Sequence, residues 1–148
     1  KMTGQIIAIA VCVVFSAYFS ATETAFTSLN RIRLKNMAND GNKKAKEVLD
    51  LADNYDNLLS TILVGNNIVN IAMTSLATVL FITLYPKYGA TIATAVTTIV
   101  VLIFGEISPK SLAKENPEKL FEAAIPISGI MIVFCGIAVL ILAVVKMK

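Results

Sequence analysis

Glu106 closes a long apolar run from Ala90 to Ile107 and sits in the phrase Phe104-Gly105-Glu106-Ile107-Ser108-Pro109-Lys110. A carboxylate inside or beside a bilayer is costly unless a cation compensates it, so its position is itself a site hypothesis. Pro109 has no amide hydrogen, and the carbonyl of Gly105, four residues earlier, loses its helical donor next to that acid. Two other apolar runs carry polar insertions. Asn66 and Asn70 lie one helical turn apart, just after Gly65, so their amide oxygens can converge on one point, whereas Asn67 is rotated from Asn66 by about 100°. Ser16, Ser20 and Thr24 are spaced by four and form a hydroxyl stripe along one face of the first run. Hydroxyls, amide oxygens, a main-chain carbonyl and one carboxylate make a ligand set for a hard cation: Mg²⁺, Ca²⁺ or Na⁺.

Each of these features also has a purely structural explanation. Hydroxyls in membrane helices bond back to their own backbone or serve close packing, and intramembrane Asn side chains bridge helices. Lys110 lies four residues after Glu106 and can pair with it as an interfacial salt bridge. Glu23 neighbours the hydroxyl stripe and can reach the headgroup region. The salt bridge alone, however, leaves both the Asn pair and the proline-freed carbonyl without a purpose.

The elements that must carry these residues are membrane helices. Of 148 residues 56% are hydrophobic and 16% charged, far from the balance of a soluble domain. Apolar stretches run from Ile6 to Phe26, Leu58 to Leu84, Ala90 to Ile107 and Ala123 to Val145, each long enough to cross about 30 Å of hydrocarbon as a helix. The first is too long for a signal-peptide core and reads as a mature span. The sequence has no His, which removes imidazole-based zinc sites and Ser-His-Asp hydrolysis from this chain. Cys12 and Cys135 lie in apolar stretches as small hydrophobes and give no disulfide framework.

Charge placement orients the chain. Arg31, Arg33, Lys35, Lys43, Lys44 and Lys46 follow the first span, whereas the loop between the second and third holds only Lys87. The positive-inside rule puts the former in the cytoplasm and the N-terminus outside. Beside a membrane span this explanation outweighs nucleic-acid contact, so no nucleic-acid partner is expected. Within the basic loop, Leu34, Met37 and Ala38 share one helical face, and Ala45, Val48, Leu49 and Ala52 share another. Two short amphipathic helices broken at Asn39-Asp40-Gly41-Asn42 follow. The fourth stretch is ambiguous: hydropathy favours a span, whereas Lys146 and Lys148, and a bend at Pro126, favour a helix along the inner surface. Pro117 is a good start for that helix.

Phe19-Ser20-Ala21-Thr22-Glu23-Thr24-Ala25, Val64-Gly65-Asn66-Asn67-Ile68-Val69-Asn70 and the phrase around Glu106 resemble, in order and spacing, the three signature segments of the CNNM/CorC transmembrane domain. The resemblance covers essentially the whole chain. It implies an all-α membrane protein forming a single transmembrane domain over residues 1–148. Three transmembrane helices fall at about 5–29, 57–85 and 89–108, a cytoplasmic juxtamembrane helix pair at about 30–56, and a C-terminal belt-like helix at the inner surface at about 117–146. It further implies a homodimeric Mg²⁺ transporter of the plasma membrane, with a cytoplasmic C-terminus, exporting Mg²⁺ against inward Na⁺ by alternating access. Ser20, Asn66, Asn70 and Glu106 become the expected metal ligands, supported by backbone at Gly65 and Gly105, with Thr24, Glu23, Asn67 and Lys110 as secondary candidates. Family members continue into cystathionine-β-synthase-like cytoplasmic domains that bind nucleotide, which this sequence does not contain. A Mg²⁺-binding scaffold or sensor without transport is the alternative. Enzymatic chemistry is not expected, since no nucleophile and base stand at suitable positions.

Overall fold

The computed structural model describes residues 2–120, and every element in it is helical. The fourth apolar stretch, with Pro126, Cys135, Lys146 and Lys148, and the belt helix past Leu120 lie outside the described residues. Helix α1 (Met2–Thr27), α4 (Tyr55–Leu84) and a third long helix running from Gly89 to Glu115 are each apolar and long enough to cross a membrane. At 1.5 Å per residue even the shortest reaches about 39 Å, more than the hydrocarbon thickness. The chain is thus a multi-pass membrane protein. Much of its apolar surface faces outward, including Val14, Ile71, Val79, Ile99 and Phe104, as expected where lipid rather than water is the solvent.

Between α1 and α4 lie α2 (Arg31–Asn39) and α3 (Lys43–Asp53). Their ends are written in asparagine. Asn30 Oδ1 accepts from the amides of Ile32 and Arg33, both at 3.1 Å, and Asn42 Oδ1 accepts from those of Lys44 and Ala45 at 3.0 and 3.2 Å. Such caps satisfy amides that the first helical turn leaves without partners. Gly41, at φ +91°, makes the left-handed link between the two helices. Leu34, Ala45, Val48 and Ala52 are buried against Ala25 and Phe26 at the end of α1 and against Ala113, with Met37, Ala38 and Leu49 packed around them. The amphipathic stripes read from the sequence therefore form one small core at the end of α1. Arg31 Nη2 donates to Ala52 O at 2.8 Å and ties α2 to the end of α3.

The third long helix is not uniform. It begins as α5 (Gly89–Val100), passes through a π-helical segment at Val101–Ile107, and resumes as α6 (Ser108–Glu115). A helical turn restarts at Pro117, where the amide of Leu120 bonds Asn116 O at 3.1 Å.

Phe19 sets the contact between α1 and α4. Its buried ring packs with Ile62 and Val69, and a Cβ placed on Gly65 would lie 2.7 Å from its Cζ. Around Gly65 α4 remains an unbroken α-helix, so this glycine serves close approach of a ring rather than exposure of a carbonyl. Gly65→Ala is expected to destabilise the protein by about 1–3 kcal/mol through overpacking. Thermal unfolding in detergent checks this, and an unchanged midpoint would show that the ring has room to move.

Candidate cation site

Ser16 stands at the centre of the junction between the three long helices. It is fully buried on α1, and its Oγ lies 2.9 Å from Asn70 Oδ1 and 3.3 Å from Asn66 Oδ1 on α4. The one-turn spacing of the two asparagines makes their convergence possible. A serine hydroxyl has a single hydrogen to donate, so these three oxygens share one proton. That surplus of acceptors is what a hard cation uses. From the other side, a Cβ built on Gly105 would sit 2.9 Å from the same Oγ, which brings the backbone of the third helix up to the cluster.

One turn along α1, Ser20 is also fully buried, and its Oγ has no hydrogen-bond partner among the described residues. An unsatisfied buried hydroxyl costs about 1–3 kcal/mol and calls for an explanation such as a bound ion. The sequence reading puts Ser20 in the ligand set and leaves Ser16 in the general stripe. In the structure the hydroxyl that meets the asparagines is Ser16, and Ser20 lies beside the cluster without touching Asn66 or Asn70 in a hydrogen bond. The four-residue spacing of the stripe was the available signal. It gives the face but not the height at which α1 meets α4.

The π-helical segment shapes the third wall. The amide of Ser108 bonds Ile103 O, five residues back, which removes the α-helical donor of the Phe104 carbonyl. Pro109 then supplies no amide to either Phe104 or Gly105. Two successive carbonyls beside Glu106 thereby lose their ordinary α partners, where the sequence alone indicates only that of Gly105. Single π turns in α-helices concentrate at functional sites for this reason.

Glu106 directly follows Gly105 and is half-buried. Among the described residues it forms no ion pair, because Lys110 Nζ lies 3.9 Å from Glu23 Oε2 on α1 instead. The salt bridge offered as the simple explanation of Glu106 is thus replaced by one between two helices. Of the secondary candidates, Glu23 and Lys110 occupy each other, Thr24 is buried one turn beyond Ser20, and Asn67 is exposed on another face of α4. Among the described residues no three His, Cys, Asp or Glu side chains gather, and the oxygens brought together at this junction are neutral ones.

Ser16→Ala separates a structural from an ion-binding role. An interhelical hydrogen bond in a membrane is worth about 0.6 kcal/mol and at most about 1.7. Ser16→Ala is therefore expected to lower thermal stability only slightly in the absence of divalent ions while weakening Mg²⁺ binding about tenfold or more, the larger effect of removing an inner oxygen ligand. Titration calorimetry checks the second part, and equal affinity in the variant would assign Ser16 to packing.

Three long apolar helices meeting at a buried oxygen cluster, with an amphipathic helix pair packed at the end of α1, define an all-helical multi-pass membrane protein. The chain belongs to the CNNM family: residues 6–147 match the Cyclin M transmembrane N-terminal domain. It is 49% identical over 105 residues to the UPF0053 inner membrane protein YfjD of Escherichia coli, covering 71% of this chain and 24% of that protein. A UPF0053 protein of Haemophilus influenzae is 46% identical over 110 residues, covering 74% and 26%. A chloroplastic DUF21 domain-containing protein of Arabidopsis thaliana is 33% identical over 112 residues, covering 76% and 17%. The chain spans about a quarter of the length of the bacterial relatives.

Proposed function

We propose that this chain is the ion-translocating domain of a Mg²⁺ transporter in the plasma membrane, exporting Mg²⁺ in exchange for inward Na⁺. The observation that carries the reading is the convergence of Ser16 Oγ with Asn66 Oδ1 and Asn70 Oδ1, at 3.3 and 2.9 Å, one turn from the Ser20 hydroxyl, which has no hydrogen-bond partner among the described residues. Mg²⁺ demands about six oxygens near 2.0–2.1 Å and gives up its water reluctantly. Two hydroxyls, two amide oxygens, the Glu106 carboxylate and a carbonyl from Phe104 or Gly105 supply that number. One negative charge against a divalent ion keeps the affinity moderate, which suits a site that must release its cargo.

The basic α2–α3 hairpin orients the domain with the N-terminus outside and the site approached from the cytoplasm between α1 and the third helix. Rearrangement at the π-helical segment then passes the ion outward. Na⁺ prefers the same ligand chemistry and competes for overlapping oxygens. The protein works as a homodimer in the lipid bilayer, regulated by cytoplasmic nucleotide-binding domains that follow in the full-length protein.

The test is dye-reported Mg²⁺ flux in proteoliposomes of known orientation, with and without a Na⁺ gradient. Flux that follows the gradient is expected. Saturable Mg²⁺ binding without flux would replace transport by the scaffold or sensor role.

A further inference from the structure

We propose that the Glu23–Lys110 ion pair is the inner latch of the ion path, joining the first and third membrane helices just inside the oxygen cluster and controlling access to it from the cytoplasm. The proposal rests on the transport reading above. Glu23 follows Ser20 by three residues and Lys110 follows Glu106 by four, so each stands about one turn, 5.4 Å, beyond a site residue and on the same side of its helix. Their charged atoms are 3.9 Å apart. Among the described residues this is the ion pair that connects two membrane-crossing helices, since the other links Arg33 of α2 to Glu118.

Three features suit the pair to opening rather than to holding the fold. The side chains of Lys110 and Glu23 are 38% and 24% exposed, and partly hydrated pairs of that kind add little to stability. One turn further inward the same helices are fixed by apolar packing of Ala113 against Ala25 and Phe26, so the pair is not needed to keep them together. The charges also discriminate. A cation nearing the cluster from this side meets the Lys110 ammonium as a repulsive barrier, and a divalent ion competes for the Glu23 carboxylate with about twice the Coulomb attraction of a monovalent one. Displacing Lys110 from Glu23 removes that charge barrier beside the cluster.

The latch is read by accessibility, with no need for Mg²⁺ to be the cargo. In protein carrying Cys12→Ser and Cys135→Ser, a reporter cysteine at Ser20 is labelled from the cytoplasmic side with a small neutral thiol reagent. Lys110→Gln and Glu23→Gln are each expected to raise the labelling rate about fivefold, the scale set by loss of a partly exposed pair. The exchanged pair, Glu23→Lys with Lys110→Glu, and the conservative Lys110→Arg are expected to label as slowly as the parent. Unchanged labelling in both single variants, or an exchanged pair that labels as fast as they do, overturns the latch. Mg²⁺ flux of the unmodified protein, measured in parallel, separates the two levels. Flux with no latch effect defeats this proposal alone, whereas a latch effect without flux upholds it and defeats the transport reading.

Discussion

Glu106→Gln is expected to abolish Mg²⁺ binding while leaving the protein at least as stable as before in the absence of divalent ions. Glutamine keeps the shape and one oxygen but removes the charge that the proposed site sets against a divalent ion. Breaking one partner of a buried charge pair costs about 3–5 kcal/mol, which is about 150- to 5,000-fold in affinity. Stability moves the other way, because Glu106 carries a charge in a membrane helix with no ion partner among the described residues. Titration calorimetry and unfolding in chelator read the two halves. Loss of stability alongside loss of binding would mean that Glu106 holds the helices together and is no ion ligand.

The second large effect is expected from Gly105→Ala. The added Cβ would lie 2.9 Å from Ser16 Oγ, so the hydroxyl must leave its position between Asn66 and Asn70. Overpacking of this kind costs about 1–3 kcal/mol, and the displaced hydroxyl removes at least about tenfold in Mg²⁺ affinity. Ser16→Ala relieves the clash, since the Ser16 Cβ itself is at an ordinary 3.5 Å. Placing both changes in one protein should recover the stability lost in Gly105→Ala without recovering binding, and a double-mutant cycle measures the coupling. Additive losses of stability would show that the third helix does not approach the cluster through this contact.

Much of this architecture is legible in the sequence because it depends on local periodicity. Apolar length fixes the spans, the turn Asn39-Asp40-Gly41-Asn42 separates α2 from α3, and the stripe of Ala45, Val48, Leu49 and Ala52 shows which face α3 buries. The Asn66–Asn70 pair is likewise visible as a face. What periodicity does not give is the axial offset of one helix against another. That offset decides that Ser16, and not Ser20, meets the asparagines, and that Lys110 reaches Glu23 across helices rather than Glu106 on its own. The π-helical register escapes for a related reason. Pro109 reveals a lost donor, but the shift of the Ser108 amide to Ile103 depends on how the whole turn packs. Gly65 illustrates the converse: its small size is readable, yet the ring that requires it belongs to Phe19, on another helix.

The most direct test replaces Mg²⁺ by Mn²⁺, which shares its preference for octahedral oxygen ligands and scatters anomalously. A crystal of the protein grown with Mn²⁺ is expected to show an anomalous peak among Ser16, Ser20, Asn66, Asn70 and Glu106, one that Mg²⁺ in excess displaces. A peak confined to the membrane surface, with those oxygens bonded only to one another, would contradict the account.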